Sequence, residues 1–136
     1  MDKHSNGETN YDENFTLARE LVTNLVKIGA DPNACKTVMC LHVHGPLTST
    51  ELQTRCGLRQ PDVSVAINLL KSLKLIEVTT LSKGTRGRPS QSYSLTVSLQ
   101  DALEPFKEKA FSNINIINSR LSIISELTKK VSLMAE

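Results

Sequence analysis

The chain has 136 residues, of which 39% are hydrophobic, and a formal net charge of +2. That length allows one domain of ordinary size with one extra element, and it excludes a second folded sensor domain. The sequence has no apolar run near the roughly 18 residues that a membrane span requires and no signal peptide. We therefore expect a soluble, cytoplasmic protein that makes no membrane contact.

The charge is unevenly distributed along the chain. Residues 1–31 hold three basic and six acidic side chains, residues 32–100 hold eight basic and three acidic ones, and residues 101–136 hold five of each. The net charge is too small to indicate a nucleic-acid partner by itself. Its distribution, however, concentrates the positive charge in the middle segment.

The first part of the chain is predicted to form two helices. Residues 1–12 are polar and lack periodicity, which indicates a flexible N-terminus. Over Glu13–Ile28 apolar residues recur at helical spacing. Asp31 then suits the N-cap of a second helix, with Pro32 at its first position, and this helix runs to about His44.

Two further helices follow, separated by a tight turn at Gly57. Thr48 and Glu51 form a predicted capping box, which opens a short helix that ends at Cys56. Pro61 suits the first position of the next helix. This helix has one apolar face at spacings of three and four, formed by Val63, Ala66, Ile67, Leu70 and Leu73.

The next segment is predicted to be a β-hairpin. Residues 75–81 are rich in β-branched and apolar side chains, and residues 93–99 alternate between apolar and polar ones. Residues 82–90 between them contain glycine, proline and basic side chains, which favour a turn. Two strands that flank such a loop predict a hairpin.

The last segment, residues 101–136, is predicted to be a helix. It begins either at a capping box formed by Asp101 and Glu104 or at Pro105. Its later apolar residues follow a heptad pattern that is typical of helices that pair with a second copy, although the stripe could also pack on its own domain. The residues expected to pair are Phe106, Ile114, Ile117, Leu121, Ile124 and Val131.

The order helix, helix, helix, hairpin is that of a winged helix-turn-helix. The stretches that resemble MarR- and TrmB-type winged-helix transcriptional regulators of archaea and bacteria are residues 45–52, 56–58, 63–70 and 75–78. The resemblance covers residues 33–99. It implies an α+β, mostly helical fold, in which residues 13–100 form a DNA-binding domain with a leading helix and residues 101–136 dimerise.

In such regulators the helix from Pro61 is the recognition helix, which enters the major groove of double-stranded DNA. The resemblance implies contacts from exposed polar residues of this helix to bases, and from hydroxyls at the start of the preceding helix to a phosphate. These residues are Arg59, Gln60, Ser64, Asn68, Thr48 and Ser49. Three positions depart from the family pattern: Val65 replaces a basic residue, Asp62 carries the wrong charge for phosphate, and Lys74 replaces a glycine.

The loop of the hairpin, residues 83–89, is called the wing. Residues 86–89 resemble the core of an AT-hook, in which glycine permits close approach and arginines lie in a narrow minor groove. The alternative is a solvated turn that simply favours glycine, proline and charge. Three cations at the place of a wing favour DNA contact, and the residues expected to make it are Lys83, Arg86, Gly87 and Arg88.

The three cysteines are interpreted as reduced thiols, because their number is odd and no secretory signal is present. Cys35 and Cys40 are five residues apart on one predicted helix, about 140° around its axis, whereas helical metal ligands are spaced by three or four. We expect them and Cys56 to be small core residues, with no metal or other cofactor. A redox switch through Cys35 or Cys40 is the alternative.

Together these features predict a homodimeric, sequence-specific transcriptional regulator with recognition helices in the major groove and wings in the minor groove. The chain has no catalytic Ser/His/Asp set and no phosphate-binding loop, so we expect no enzyme. Two alternatives are a winged-helix module that binds other proteins and an architectural protein that binds DNA without sequence preference. The sequence does not identify a small-molecule effector.

Overall fold

The computed structural model describes residues 16–81 and 90–135. In chain order its elements are a helix over residues 16–27 (α1), Pro32–His44 (α2), the two-residue strand Leu47–Thr48 (β1), Ser49–Cys56 (α3), Gln60–Ser72 (α4), Ile76–Leu81 (β2), Ser90–Leu95 (β3) and Leu99–Met134 (α5). The α+β, mostly helical winged helix-turn-helix fold is confirmed. Among the described residues, no helix combines the length and the apolar character needed to cross a membrane.

Within the described residues the strands form one antiparallel sheet in the order β1-β3-β2. The ladder between β2 and β3 runs from the pair Ile76 and Leu95 to the pair Leu81 and Ser90. On the other edge of β3, Thr48 of β1 pairs with Ser92. The sheet therefore connects the hairpin to the segment that leads directly into α3.

Two of the predicted helix starts are confirmed together with their capping contacts. The Asp31 carboxylate accepts a hydrogen bond from the Ala34 N–H at 2.9 Å. Before α3, the Thr48 hydroxyl accepts from the Glu51 N–H at 3.2 Å, and the Glu51 carboxylate accepts from the Thr48 N–H at 2.9 Å. Such caps satisfy N–H groups that have no partner inside the helix.

The bounds of β3 and α4 differ from the sequence prediction. β3 covers Ser90–Leu95 rather than residues 93–99, because the ladder with β2 continues to Ser90. α4 begins at Gln60, with Arg59 at the N-cap, so Pro61 occupies the second helical position. A proline costs no hydrogen bond at either of the first two positions, since N–H groups there have no partner inside the helix.

The start of α5 lies earlier than either predicted start. Ser98 is the N-cap, and its hydroxyl accepts a hydrogen bond from the Asp101 N–H at 3.1 Å. The predicted capping box of Asp101 and Glu104 and the predicted start at Pro105 are both wrong. Pro105 lies inside the helix, where it removes one backbone hydrogen bond.

The core lies between α2, α4, the sheet and the first turns of α5. Thr37 is buried among its apolar side chains, and its hydroxyl donates to the Asn33 carbonyl at 2.8 Å. The least exposed apolar members of the core are Ala34, Cys35, Val38, Leu41, Leu52, Val63, Leu70 and Ala102. α1 contributes Leu25, so the leading helix belongs to the same domain.

α5 has 36 residues, but only its first part is packed in the domain. Ala102, Leu103 and Phe106 are buried, whereas residues 111–135 are exposed throughout. This exposed part, which we call the stem, is about 37 Å long at the usual rise of a helix. Phe106, which is expected to pair with a second copy, follows Ala102 by one helical turn and packs into the core on the same face.

Cys40 and Cys56 form a disulfide between α2 and the last residue of α3, with their Cα atoms 6.6 Å apart. The expectation of reduced thiols is therefore wrong for this pair. An odd number of cysteines allows one pair with one residue left over, which is Cys35, free and buried. The two partners are 16 residues apart in sequence, and the packing of α3 against α2 brings them together.

Candidate nucleic-acid interface

α4 has one buried and one exposed face. Its predicted apolar residues Val63, Ala66, Ile67 and Leu70 are buried in the core. The opposite face is exposed and carries Arg59, Gln60, Ser64, Val65 and Asn68. Because Gln60, Ser64 and Asn68 are spaced by four residues, they follow one line along the outer surface of the helix. The structure thus brings three of the predicted base-contacting residues into one row.

Arg59 at the N-cap of α4 pairs with Asp62 one turn later. The Arg59 Nε and Asp62 Oδ2 atoms are 3.4 Å apart, with 84% of the Arg59 side chain and 31% of the Asp62 side chain exposed. The carboxylate that departs from the family pattern is therefore partly neutralised within the helix. An exposed pair of this kind is weak, so Arg59 can exchange Asp62 for another acceptor at little cost.

The start of α3 is already occupied by a carboxylate of the chain itself. The hydrogen bond from the backbone N–H of Thr48 holds the pKa of the Glu51 carboxyl below its ordinary value, and the Thr48 hydroxyl and the charge of Arg55 act in the same direction. Ser49 Oγ accepts from Gln53 Nε2 at 3.3 Å. A phosphate at this helix end would meet Glu51 as a competing negative charge, a consequence of the capping box that the sequence reasoning missed.

The wing lies outside the described residues. The predicted contact residues Lys83, Arg86, Gly87 and Arg88 belong to it. The two strands that flank it are described, and their last pair is Leu81 with Ser90. The sequence therefore places residues 82–89 as the connection between two antiparallel strands.

Lys74, which stands where the family pattern has a glycine, has a backbone conformation that glycine adopts readily. Its φ is +62°, in the left-handed region that L-residues other than glycine seldom adopt. Its carbonyl accepts from the Thr96 hydroxyl at 3.2 Å, and the Thr96 N–H donates to the Leu75 carbonyl at 2.9 Å. These bonds hold the turn after α4 against the end of β3, so the departure does not disturb the hairpin.

The stem of α5 carries two apolar stripes. The predicted stripe is exposed in this chain, with 51–62% exposure, and consists of Ile114, Ile117, Leu121, Ile124 and Val131. A second stripe lies beside it and consists of Ile116, Ile123, Leu127 and Met134. The sequence analysis missed the second stripe, although intervals of seven residues from Ile116 to Ile123 and from Leu127 to Met134 indicate it.

A cavity of about 530 Å³ lies where α1 ends and α5 leaves the domain. Its apolar wall includes Ile28, Leu69, Leu73 and Phe106, and Lys109 adds a cation at its edge. The cavity gives room for a small molecule between the winged helix and α5.

His42 and His44, like the cysteines, are residue types that can ligate a metal ion. Both histidines are exposed at the end of α2. Over residues 16–81 and 90–135, no three His, Cys, Asp or Glu side chains come together as metal ligands would.

No protein-family model matches the chain, and no curated protein sequence matches it. Among solved structures, the chain is similar to a MarR family regulator from Neisseria meningitidis, with 18% identity over 100% of both chains and a TM-score of 0.47. It is also similar to MepR, a transcription regulator of the Staphylococcus aureus multidrug efflux pump MepA, with 18% identity, a TM-score of 0.47, and coverage of 94% of this chain and 97% of that one.

A structure of the S. aureus MepR–DNA complex is similar at 17% identity and a TM-score of 0.46, over 90% of this chain and 96% of that one. At these sequence identities and TM-scores, the similarity is limited to the general path of the backbone. The winged-helix assignment rests on this chain's own order of elements and on the register of its strands.

Proposed function

We propose that the protein is a homodimeric transcriptional regulator that binds double-stranded DNA with sequence preference and inserts α4 into the major groove. The observation that carries this proposal is the row of Gln60, Ser64 and Asn68 on the exposed face of α4. A helix fits the width of the major groove, and its outward side chains then meet the base edges. Glutamine and asparagine make two hydrogen bonds to adenine, which is the chemistry of sequence readout.

Two neighbours of this row add to the proposed base contacts. Arg59, once released from Asp62, can donate two hydrogen bonds to guanine. Val65 is 64% exposed and offers an apolar contact to the methyl group of thymine. Each good pair of hydrogen bonds contributes about 1–3 kcal/mol to discrimination between bases.

The electrostatic part of binding is assigned mainly to the wing. Residues 48–72, which contain α3 and α4, hold three basic and two acidic side chains, while residues 82–89 hold three basic and no acidic ones. We propose that Lys83, Arg86 and Arg88 neutralise phosphates or enter the minor groove, where Gly87 permits close approach. The Thr48 and Ser49 hydroxyls at the start of α3 are proposed to contact the flanking phosphate beside Glu51.

The second copy is proposed to bind through the stem. Its exposed apolar stripes are too extensive to remain in water in a soluble protein, and the heptad spacing suits pairing with an identical helix. A dimer brings two copies of α4 to two half-sites, which adds their binding free energies. This compensates for the small net charge of a single α3–α4 unit.

The proposal is tested by fluorescence anisotropy or gel shift with genomic fragments, in the presence and absence of unrelated competitor DNA. Specific binding supports the proposal. Indiscriminate binding would instead indicate an architectural protein, and absence of binding in both cases would favour a protein-interaction module.

Variants separate sequence readout by α4 from electrostatic binding by the wing. Asn68→Ala should reduce the preference for the specific fragment, with Gln100→Ala on the exposed start of α5 as its control. Arg86→Ala with Arg88→Ala should weaken binding to every fragment. Because the dimer then loses four arginines, the slope of log K against log salt should fall by about 3–4 if all four neutralise phosphates. An unchanged slope and affinity would exclude the wing from the interface.

A further inference from the structure

The disulfide between Cys40 and Cys56 lies immediately before the proposed recognition helix. Cys56 is the last residue of α3, and Gly57 follows it in the left-handed conformation with a φ of +68°. Arg59, three residues after Cys56, is the N-cap of α4. The bond therefore ties the turn of the helix-turn-helix to α2.

Apart from the disulfide, α3 is held by non-covalent packing, chiefly against α2 and α4. It is a helix of eight residues that is described along its whole length, and Leu52 is the one side chain that it buries fully. A helix this short is not stable by itself and depends on its tertiary contacts. The disulfide gives the C-terminal end of α3 an attachment to α2 that Leu52, one turn earlier, does not provide.

The three cysteines differ in their access to small molecules. Cys40 and Cys56 are both partly exposed, so a thiol or a disulfide from solution can reach them. Cys35 is fully buried, and burial, with a smaller contribution from the charge of Asp31, raises the pKa of its thiol to about 11. Cys35 therefore has little reactive thiolate at neutral pH and serves as an internal control.

We propose that Cys40 and Cys56 are a reversible thiol–disulfide switch that regulates DNA binding by α4, an inference that rests on the proposed function. In the reducing direction, a thiolate of a small thiol attacks one sulfur, the S–S bond breaks, and a mixed disulfide forms. A second small thiol resolves it. The two protein sulfurs gain two electrons and two protons, and the small thiols leave as their disulfide; the reverse exchange with that disulfide restores the bond.

The disulfide form is the tighter binder. With the bond in place, the turn between α3 and α4 is held before DNA arrives, so less conformational entropy is lost on binding. After reduction, the C-terminal end of α3 keeps only its non-covalent contacts with α2, so it is less ordered before DNA arrives and binding must order it. We expect the dissociation constant for the specific fragment to rise about fivefold or more on reduction, a coupling of ordinary size.

The experiment uses the full-length wild-type chain in mixtures of reduced and oxidised glutathione. Alkylation followed by mass spectrometry gives the fraction of chains with the Cys40–Cys56 bond, and anisotropy gives the affinity for one specific fragment in the same mixtures. The fraction of chains with the bond and the affinity for DNA should change over the same range of glutathione ratios. Cys40→Ser with Cys56→Ser should bind weakly and without redox response, while Cys35→Ala should keep the response.

Equal affinity of the oxidised and reduced wild type would overturn the switch and leave the proposed function in place. A pair that stays reduced in oxidised glutathione, or a response that survives in the double variant, would also overturn it. Absence of DNA binding in every mixture would overturn the proposed function together with its regulation. Because the titration uses the wild type, a folding defect of a variant does not affect the outcome.

Discussion

α4 and the stem of α5 carry apolar residues at the same helical spacing, yet these residues end in opposite environments. In α4 they are covered by the rest of the domain, and Leu70 is completely buried. In the stem the corresponding residues are about half exposed, as Leu121 shows at 55%. Helical periodicity therefore identifies the side of a helix that avoids water but not the surface that covers it.

The difference arises from where each helix lies in the fold. α4 is enclosed by α2, α3 and β2, all of which lie within 40 residues of it in the chain. The stem follows the last contact of α5 with the domain and extends away from it. No described residue covers its apolar stripes, and in the proposed dimer the identical stripes of a second copy would do so.

The largest expected effect concerns the stem. Ile117→Asp with Leu121→Asp places four charges in the interface of the proposed dimer, where burial of an unpaired charge is costly. The dimer dissociation constant should rise about a thousandfold or more, which corresponds to about 4 kcal/mol. Sedimentation velocity would detect this as a change from dimer to monomer.

Ser122→Asp is the control for that variant, because Ser122 lies on the polar face of the same helix, away from both apolar stripes. It should leave the dimer intact. The near-ultraviolet circular dichroism of the domain should be the same in all three proteins. A wild type that sediments as a monomer would remove the basis for the stem as a dimer interface.

Leu70→Ala tests the covered helix in the same way. It removes a fully buried side chain and leaves a cavity, so the free energy of unfolding should fall by about 3 kcal/mol. Val65→Ala, on the exposed face of the same helix, should change it by less than about 0.5 kcal/mol. Urea denaturation measures both changes, and similar losses in the two variants would contradict the assignment of faces.

These two helices also show how far the sequence predicts the fold. The elements were predictable because local signals mark them, such as the caps at Asp31 and Thr48 and the apolar face of α4. The start of α5 was not, because a single hydroxyl at Ser98 outweighs the more conspicuous Pro105. The Cys40–Cys56 bond was also unpredictable, because it depends on how α3 packs against α2, which no local pattern contains.

A smaller effect is expected from the cap of α3. Thr48→Ala removes the hydroxyl that accepts from the Glu51 N–H and should lower the free energy of unfolding by about 1 kcal/mol. Thr50→Ala, in the exposed first turn of the same helix, is the control and should be nearly neutral. Neither variant should alter self-association, because both lie far along the chain from the stem; a shift in the sedimentation of Thr48→Ala would show that the two regions are coupled.

The smallest effect is a gain in stability. Lys74→Gly relieves the left-handed backbone conformation and should raise the free energy of unfolding by about 0.5 kcal/mol, after the greater flexibility of glycine in the unfolded chain is deducted. Lys71→Gly, inside α4, should lower it by about 0.5–1 kcal/mol. Thermal unfolding of the two variants should therefore shift in opposite directions, and a loss for Lys74→Gly would mean that the lysine side chain makes a compensating contact.

The candidate site was predictable in its chemistry and less so in its electrostatics. The row of Gln60, Ser64 and Asn68 follows from helical spacing once the buried face of α4 is known. The pairing of Arg59 with Asp62 depends on side-chain positions at the N-cap. The competition between Glu51 and a phosphate follows from the carboxylate of the capping box, whereas the sequence prediction of a phosphate contact rests on the Thr48 and Ser49 hydroxyls alone.

Thr48 belongs to the sheet and to the helix-turn-helix at the same time. It pairs with Ser92 of β3 as the last residue of β1, and it caps α3. The strand and the helix therefore share one joint with no intervening residue to absorb a displacement. A tilt of β3 should therefore displace the start of α3, so that the hairpin and the helices move together. Amide hydrogens on both sides of Thr48 should then exchange with solvent at correlated rates.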